Sequence, residues 1–374
     1  MSENIRTEAN WNQLSSYEQD AERLAPKKWL NKEEIIELSK IKHWRWIGEL
    51  ALTWGLLVAT LQVTIMLGKV LPLWAAVLVY GVSFVLMGCL QNWLIQWRHE
   101  ASHYCLTRDK KLNDLIGDIF IAGPVGSTTR NYRFHHVSHH MYLNDPDKEV
   151  QPATWICLRG GHLLTELVTH LVGFWYVTSL YKTAKEAEAK PNAKPENKLT
   201  VTPAALASFF VVNGTLFALC ALQGAWFAYF ILWLMPPITV AQLINNFRTI
   251  VEHQPSSDIC DVGRSVKLFA FTRVIRANPI ERWLIAPVGF YFHHEHHAWP
   301  SIPYHRLGET RRLLQKKGYF DQDGIIYTDG YLKTVWQLAH QPDYGLRILN
   351  PFMDMEKFEE EHDHHHDHGH SHAH

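Results

Sequence analysis

Long uncharged runs alternate with polar segments along this chain. No Asp, Glu, Lys or Arg occurs in Leu50–Gly68, Val70–Trp97 or Leu199–Phe247. A membrane-spanning helix needs roughly 20 apolar residues, so the first two runs predict one span each, and the third predicts two spans with a break at Gln223-Gly224. Pro236-Pro237 predicts a kink within the fourth span. The pattern therefore predicts an all-α integral membrane protein with about four transmembrane helices.

The segments outside the four predicted spans indicate how the rest of the chain is organised. Ala153–Tyr181 is apolar but is interrupted by charged residues such as Arg159 and Glu166, which favours a helix at the membrane interface or packed on the protein. Asn31 followed by Glu34 predicts a capped helix before the first span. The predicted organisation is an N-terminal segment (1–44), a membrane domain (45–300), a C-terminal region (301–350) and a disordered acidic, histidine-rich tail (351–374).

Basic residues indicate the orientation in the membrane. They cluster before the first predicted span and after the second, whereas the connections at Lys69 and Gln223 are short and nearly uncharged. Because basic residues are enriched in cytoplasmic loops, both termini and the three histidine clusters described below are predicted to be cytoplasmic. The first apolar run starts too late for a signal peptide. The basic residues are Lys27, Lys28, Lys32, Lys40, Lys42 and Arg45 before the first span, and Arg98, Arg108, Lys110, Lys111, Arg130 and Arg133 after the second.

The net charge and the cysteine content exclude some classes of protein. The net charge is −1, which gives no indication of a nucleic-acid partner. The five cysteines show no paired spacing, and two of them lie in apolar spans, so a disulfide framework is not expected. These features fit a protein whose polar side faces a reducing cytosol.

Three histidine clusters carry the candidate chemistry, and each has its histidines three or four residues apart. Residues at this spacing share one face of a helix, so each cluster can direct several imidazoles to one point. Eight histidines exceed what one tetrahedral ion can use, so two metal ions are predicted, and imidazole suits iron, zinc or copper. The clusters are His99 and His103, then His136, His139 and His140, and finally His293, His296 and His297.

A ninth ligand is predicted at His253. It lies six residues beyond the fourth apolar run, at a height of about 10 Å above the membrane if the helix continues, similar to that of the first cluster. His135 and His294 adjoin the clusters but point away from the shared faces. Nearby carboxylates are predicted to accept the second ring N–H of a ligand, with Arg133 and Arg248 as their partners. These carboxylates are Glu100, Asp145, Asp147, Glu252 and Glu295.

The clusters resemble the three histidine boxes of the membrane-bound fatty acid desaturase and hydroxylase superfamily, in its bacterial branch. The resemblance rests on three boxes and on the Arg248–His253 segment, together with Thr272–Arg282 and the Trp299–Pro303 tail, and extends from about the first span to residue 315. The boxes are Arg98-His-Glu-Ala-Ser-His103, Arg133-Phe-His-His-Val-Ser-His-His140 and His293-His-Glu-His-His297.

The resemblance implies four spanning helices under a cytosolic helical cap that holds a di-iron centre. The family's ligands correspond to the nine histidines named above, with O2 as co-substrate and a fatty acyl or lipid chain from the bilayer as substrate. The family also includes hydroxylases and a decarboxylase that forms terminal alkenes. The boxes therefore indicate the oxidant, but they do not decide whether the reaction is desaturation, hydroxylation or decarboxylation. A bacterial inner-membrane location is expected.

Electrons must come from another protein. The chain contains no dinucleotide-binding fingerprint, no cysteine set for an iron–sulfur centre and no haem-binding His-Pro-Gly-Gly. A ferredoxin, rubredoxin or cytochrome partner is therefore expected, and it could dock on Arg264, Lys267, Arg273 and Arg276.

A metal-binding or metal-transport protein is the alternative from a different class. Such a protein should place ligands within its spans, where an ion must pass. The predicted spans contain no histidine or carboxylate, which argues against transport.

Overall fold

The computed structural model describes residues 22–143, 162–178, 180–181, 200–253, 272–322 and 325–340. Within these ranges the chain is almost entirely helical, as predicted. Strand structure there is confined to the two-residue segments β1 (Val274–Ile275) and β2 (Tyr327–Thr328), which pair in parallel. The prediction of an all-α fold is therefore confirmed.

Two short helices, α1 (Pro26–Trp29) and α2 (Lys32–Leu38), precede the first span. The predicted cap of α2 is present: the Glu34 N–H donates to the Asn31 side chain at 2.8 Å, and the Asn31 N–H donates to the Glu34 carboxylate at 2.9 Å. This reciprocal pair satisfies two backbone donors at the start of α2.

The first two spans form a helical hairpin of α3 (His43–Val70) and α4 (Leu73–Ser102). Pro72 caps α4 and, lacking an N–H, helps to end α3 at the turn. Both helices are longer than the apolar runs that predicted them. As a result α4 carries His99 and Glu100 on its final turn, beyond the uncharged run.

Short helices follow the second span. Helical turns in residues 112–126 pack against the first and third spans: Trp54 donates to the Phe120 carbonyl at 2.9 Å, and Ser208 donates to the Ile119 carbonyl at 2.5 Å. The elements in order are α5 (Lys110–Gly117), a π-helical turn (Asp118–Ala122), a 3-10 turn (Gly123–Val125), α6 (Thr129–Tyr142) and α7 (His162–Leu171).

The third and fourth spans also form a hairpin, with its break at the predicted position. Gly224 adopts a φ of +70°, a left-handed conformation that glycine takes without strain. The predicted irregularity at Pro236-Pro237 is a 3-10 turn preceded by a π-helical turn. The elements are α8 (Pro203–Leu222), α9 (Trp226–Tyr229), the π turn (Phe230–Leu234), the 3-10 turn (Pro236–Ile238) and α10 (Val240–His253).

The C-terminal part of the described chain packs above the spans. It contains α11 (Pro279–Leu284), a 3-10 turn (Phe290–Phe292), α12 (His293–Ala298), α13 (Tyr304–Lys316), a 3-10 turn (Tyr319–Asp321) and α14 (Tyr331–His340).

Buried and exposed apolar residues divide between the inner and outer faces of the spans. Leu94 and Trp97 are buried among the helices, whereas Leu73 is 80% exposed and Leu222 is 86% exposed. Large apolar side chains on an outer surface are stable in hydrocarbon rather than in water. The four helices long and apolar enough to cross a membrane therefore identify an integral membrane protein, as predicted.

Glycine allows the second and fourth spans to approach closely. A Cβ atom added to Gly88 of α4 would lie 2.5 Å from Cβ of Val240, the first residue of α10. This contact positions the two helices whose far ends carry His99 and His253.

Candidate metal centre

Five of the predicted ligands form one set of converging imidazoles at the ends of α4, α6 and α12. His99 Nε2 lies 2.9 Å from His296 Nε2, which lies 3.1 Å from His140 Nε2. His136 Nε2 lies 2.9 Å from His140 Nε2 and 2.8 Å from His103 Nε2. We call this set, His99, His103, His136, His140 and His296, the first histidine set.

The other four predicted ligands form the second histidine set, which consists of His139, His253, His293 and His297. His253 Nε2 lies 3.0 Å from His139 Nε2 and 2.7 Å from His293 Nε2. One ligand atom from each of the four lies within 4.8 Å of every other. The structure thus places all nine predicted histidines in two sets, with His253 among them.

The spacing of the nitrogens fits a metal ion. Two nitrogens that bind one ion at about 2.1 Å and subtend a right angle lie roughly 3 Å apart, which matches the Nε2 separations in both sets. Neutral imidazole carries one ring proton, so a ring of facing Nε2 atoms cannot be satisfied by hydrogen bonds among themselves if every Nδ1 is protonated. A cation between the lone pairs satisfies all of them, so the residues present fit two metal ions.

Histidines that are neighbours in the sequence belong to different histidine sets. His139 and His297 belong to the second set, whereas their sequence neighbours His140 and His296 belong to the first. The rings of His140 and His297 stack with their centroids 4.2 Å apart. The two sets therefore share α6 and α12 and lie side by side, so two ions bound by them would lie close together.

Burial favours the neutral form of six of these rings. Burial, aided by the Arg133 guanidinium, lowers the pKa of His103 to about 3. Burial also lowers the pKa of five more ligands well below the usual histidine range, and neighbouring imidazoles add to the effect. Neutral imidazole is the form that binds metals. These five are His136, His140, His293, His296 and His297.

Two of the predicted carboxylates lie behind ligand rings. Glu100 Oε1 is 3.5 Å from Nδ1 of His99, and Glu252 Oε2 is 3.5 Å from Nδ1 of His293. Each of these two imidazoles thus has its Nε2 directed into a histidine set and its Nδ1 towards a carboxylate. This arrangement favours the tautomer with a proton on Nδ1 and a free lone pair on Nε2. Arg248 pairs with Glu252, as predicted.

Other predicted partners lie elsewhere. Arg133 pairs with Asp114 at 3.0 Å, rather than with one of the predicted carboxylates. Glu295 is fully buried and binds the Arg311 guanidinium through both oxygens, one of them 2.9 Å from Nη2, so it stabilises the cap instead of facing a ligand ring. Asp145 and Asp147 lie outside the described residues, as does the histidine-rich tail.

The two histidines that adjoin the clusters belong to neither set, as their helical phase predicts. His294 is buried and contacts the Tyr319 hydroxyl at 2.8 Å and the Thr272 hydroxyl at 2.9 Å. His135 lies on α6, one residue before the ligand His136. Their positions follow from the rotation of about 100° between successive residues of a helix.

Sequence reasoning missed two residues that support the site. The Tyr304 N–H donates to Glu100 Oε2 at 3.0 Å, and the Tyr331 hydroxyl donates to Glu252 Oε1 at 2.9 Å. Tyr304 follows the Trp299–Pro303 tail, which provided a weak local signal. Tyr331 lies 79 positions from Glu252, and no local pattern connects the two.

Comparisons with known proteins agree with this geometry. The family model for fatty acid desaturases matches residues 72–329, which is well over half of the chain and includes all nine histidines. The chain is 26% identical over 262 residues to dihydrorhizobitoxine desaturase of Bradyrhizobium elkanii, covering 64% of this chain and 69% of the relative. It is 23% identical over 302 residues to Delta(8)-fatty-acid desaturase of Euglena gracilis, covering 71% of this chain and 70% of the relative.

These matches confirm the resemblance seen in the histidine boxes. They also support a desaturase-type function, because both relatives carry that name. The chain therefore belongs to the fatty acid desaturase family and is a membrane oxidoreductase.

Proposed function

We propose that the chain introduces a carbon–carbon double bond into a fatty acyl chain, using O2 and two iron ions held by the two histidine sets. The observation that supports this proposal best is the pair of adjacent, buried, all-imidazole sets at the ends of the spans. When bound there, two iron ions supply an oxidant, formed from O2 and external electrons, that is strong enough to break an unactivated C–H bond.

The chain's own residues hold and shield this centre. The first histidine set would bind one ion and the second set the other, while Glu100 and Glu252 orient their ligand rings. A small cavity touches both sets and is also lined by Glu100 and by apolar residues that include Val288 and Phe290. A space of this size has room for about one small co-reactant beside the ions.

The substrate would enter from the bilayer, since the outer faces of the spans are apolar. Electrons would come from a separate ferredoxin, rubredoxin or cytochrome. Of the basic residues predicted to dock this donor, Arg276 is 63% exposed and remains a candidate. Arg273 is buried, so that part of the prediction is wrong. Arg264 and Lys267 lie outside the described residues.

The proposed location is a bacterial inner membrane with the histidine sets on the cytoplasmic side. Lys42 and Arg45 lie at the start of the first span, and Arg108, Lys110 and Lys111 follow the second, all at the end of the hairpin that bears the histidines. Positive residues of this kind favour the cytoplasmic side. Both termini would then be cytoplasmic.

Metal analysis and lipid profiling test the proposal together. Purified protein should contain about two iron ions per chain, and cells that express it should accumulate an unsaturated acyl product. His139→Ala removes one Nε2 from the second set and should abolish the product. His43→Ala, at an exposed position at the start of α3, should leave both iron and product unchanged.

The products also separate the alternatives. A hydroxylated chain or a terminal alkene, lost in His139→Ala, would replace desaturation with the corresponding reaction of the same oxidant. Zinc as the only bound metal, with no O2 consumption, would reject the oxygenase and favour a metal-binding protein.

A further inference from the structure

An arginine that pairs with no carboxylate among the described residues lies beside the first histidine set. Arg98 directly precedes the ligand His99 on α4. Its Cζ atom lies 4.4 Å from the centroid of the Tyr132 ring, and that ring stacks on the ligand His136 with centroids 5.5 Å apart. The guanidinium is thus one aromatic ring away from a metal ligand.

Arg98 differs from other arginines around the site in having no carboxylate partner among the described residues. Arg133 pairs with Asp114, and Arg248 and Arg311 pair with Glu252 and Glu295. Arg98 Nε is buried and makes no hydrogen bond within the described part of the chain.

The Arg98 side chain is half-buried, and its enclosed Nε lacks a hydrogen-bond acceptor among the described residues, which makes part of this charge costly to desolvate. Ionisable groups inside a membrane protein therefore usually mark a substrate or ion site. The position of Arg98, at the end of a span and beside the candidate metal centre, calls for an anion that the described residues do not supply.

The immediate surroundings of Arg98 offer hydrogen-bond donors. The Tyr132 ring lies against the Arg98 guanidinium, and its hydroxyl can donate a hydrogen bond. Tyr176 lies within electrostatic range of the Arg98 guanidinium. A guanidinium and a phenol O–H together match the two oxygens of a carboxylate.

We propose that Arg98, assisted by the Tyr132 hydroxyl, binds the carboxylate of a free fatty acid substrate. This inference rests on the proposed function, because it identifies the end of the acyl substrate that the site recognises. A carboxylate held at Arg98 would keep the first carbons of the chain nearest the histidine sets. A thioester or a glycerolipid ester lacks the negative charge at this end and would leave Arg98 unpaired.

A phosphate is the other anion of similar chemistry. An arginine at the end of a span can reach a lipid headgroup at the interface. We favour the carboxylate because the Tyr132 ring covers one face of the guanidinium and Nε is enclosed by protein, so only the terminal N–H groups are presented, and these match the two oxygens of a carboxylate.

Binding measurements on the iron-loaded, full-length protein in detergent test this assignment without turnover. The probes are lauric acid, methyl laurate and dodecyl phosphate, compared at one detergent concentration. Wild type should bind lauric acid about 10- to 100-fold more tightly than methyl laurate, the range expected for a charge-assisted hydrogen bond. Arg98→Met should lower the affinity for lauric acid to that for the ester, and Arg98→Lys should restore part of the difference.

Iron content and the midpoint of thermal unfolding accompany each measurement. Arg98→Met is informative when both match wild type, and Arg98→Lys provides the same test in a milder variant if Arg98→Met does not fold. Arg312→Met, which removes an exposed arginine from α13, should bind all three probes as wild type does.

Three results would overturn the proposal: equal affinity of wild type for lauric acid and its ester, unchanged preference in both folded Arg98 variants, or tighter binding of dodecyl phosphate than of lauric acid. The last result would assign Arg98 to a phosphate headgroup. Absence of iron from wild type would instead count against the proposed function, because discrimination between acid and ester does not depend on turnover.

Discussion

At the scale of single residues, Glu100 and Glu252 play matching parts behind the two histidine sets. Each is buried, each lies 3.5 Å from Nδ1 of a ligand, and each accepts a hydrogen bond from the C-terminal part of the chain. A carboxylate at Nδ1 stabilises the tautomer whose Nε2 lone pair binds metal, and it makes the ring a stronger ligand. The two carboxylates therefore couple metal affinity to the packing of the cap.

We expect Glu100→Gln to weaken binding of one iron ion and Glu252→Gln to weaken binding of the other, each by about 10- to 100-fold. The amide is neutral, and its NH2 group competes with the ring N–H instead of accepting from it. The measurement is iron content after dialysis against increasing concentrations of a chelator. Each variant should lose about one ion at a chelator concentration that leaves wild type with both.

Glu309→Gln is the matched control. Glu309 pairs with Lys42 and Arg306 on the surface of the cap, away from the ligand rings. Its variant should keep iron as wild type does. Iron retention in Glu100→Gln and Glu252→Gln equal to that of the control would show that neither carboxylate supports a ligand.

The spacing of the histidines along the chain predicted which of them converge, but it did not predict which of them belong to the first histidine set and which to the second. The i, i+3 and i+4 rule places His136, His139 and His140 on one broad face of α6. His139 and His140 nevertheless differ in direction by about 100°. Which ion each one faces depends on the packing of α6 against α12 and α10, and these contacts join residues more than 100 positions apart.

At the scale of helices, the contact between Gly88 and Val240 links the two spans that carry His99 and His253. Both helices continue above this point to the histidine sets, so a change in their separation displaces ligands of both sets. Charge-free runs predicted these spans well because lipid requires uninterrupted apolar surface. They did not predict the helix ends, since beyond the bilayer the helices are stabilised by contacts with the cap.

Gly88→Ala should destabilise the protein by about 1–3 kcal/mol and reduce its iron content. The added Cβ would lie 2.5 Å from Val240 Cβ and 3.3 Å from the backbone nitrogen of Ala241, so the helices must separate. The midpoint of thermal unfolding in detergent and the bound iron measure the two effects. Gly81→Ala, on the same helix with no atom within 4 Å of the new Cβ, is the control and should match wild type. Equal behaviour of the two variants would show that this contact does not position the ligands.

At the scale of the whole molecule, segments from both ends of the described chain meet beside the histidine sets. Glu34 pairs with Lys317 at 2.6 Å, and Lys42 pairs with Glu309 at 3.2 Å. The Lys42 N–H also donates to His305 Nε2 at 2.9 Å. The N-terminal segment and the C-terminal region, which the sequence suggested as separate units, therefore pack against each other in one cap. Their contacts could not be predicted because they join residues more than 260 positions apart.

The orientation of this cap can be tested with two single cysteines. Lys69 is exposed at the end of the hairpin opposite the histidines, and Lys110 is exposed at the start of α5 on the histidine side. The excess of basic residues on the histidine side predicts that this side is cytoplasmic. In intact bacterial cells, a membrane-impermeant maleimide should label Lys69→Cys and leave Lys110→Cys unlabelled, whereas both should react after lysis.

Wild type provides the background, because its cysteines at 89, 105 and 220 are buried and the other two are present in all three proteins. Labelling of Lys110→Cys alone in intact cells would reverse the orientation and place the histidine sets outside the cytoplasm, beyond the reach of a cytosolic electron donor.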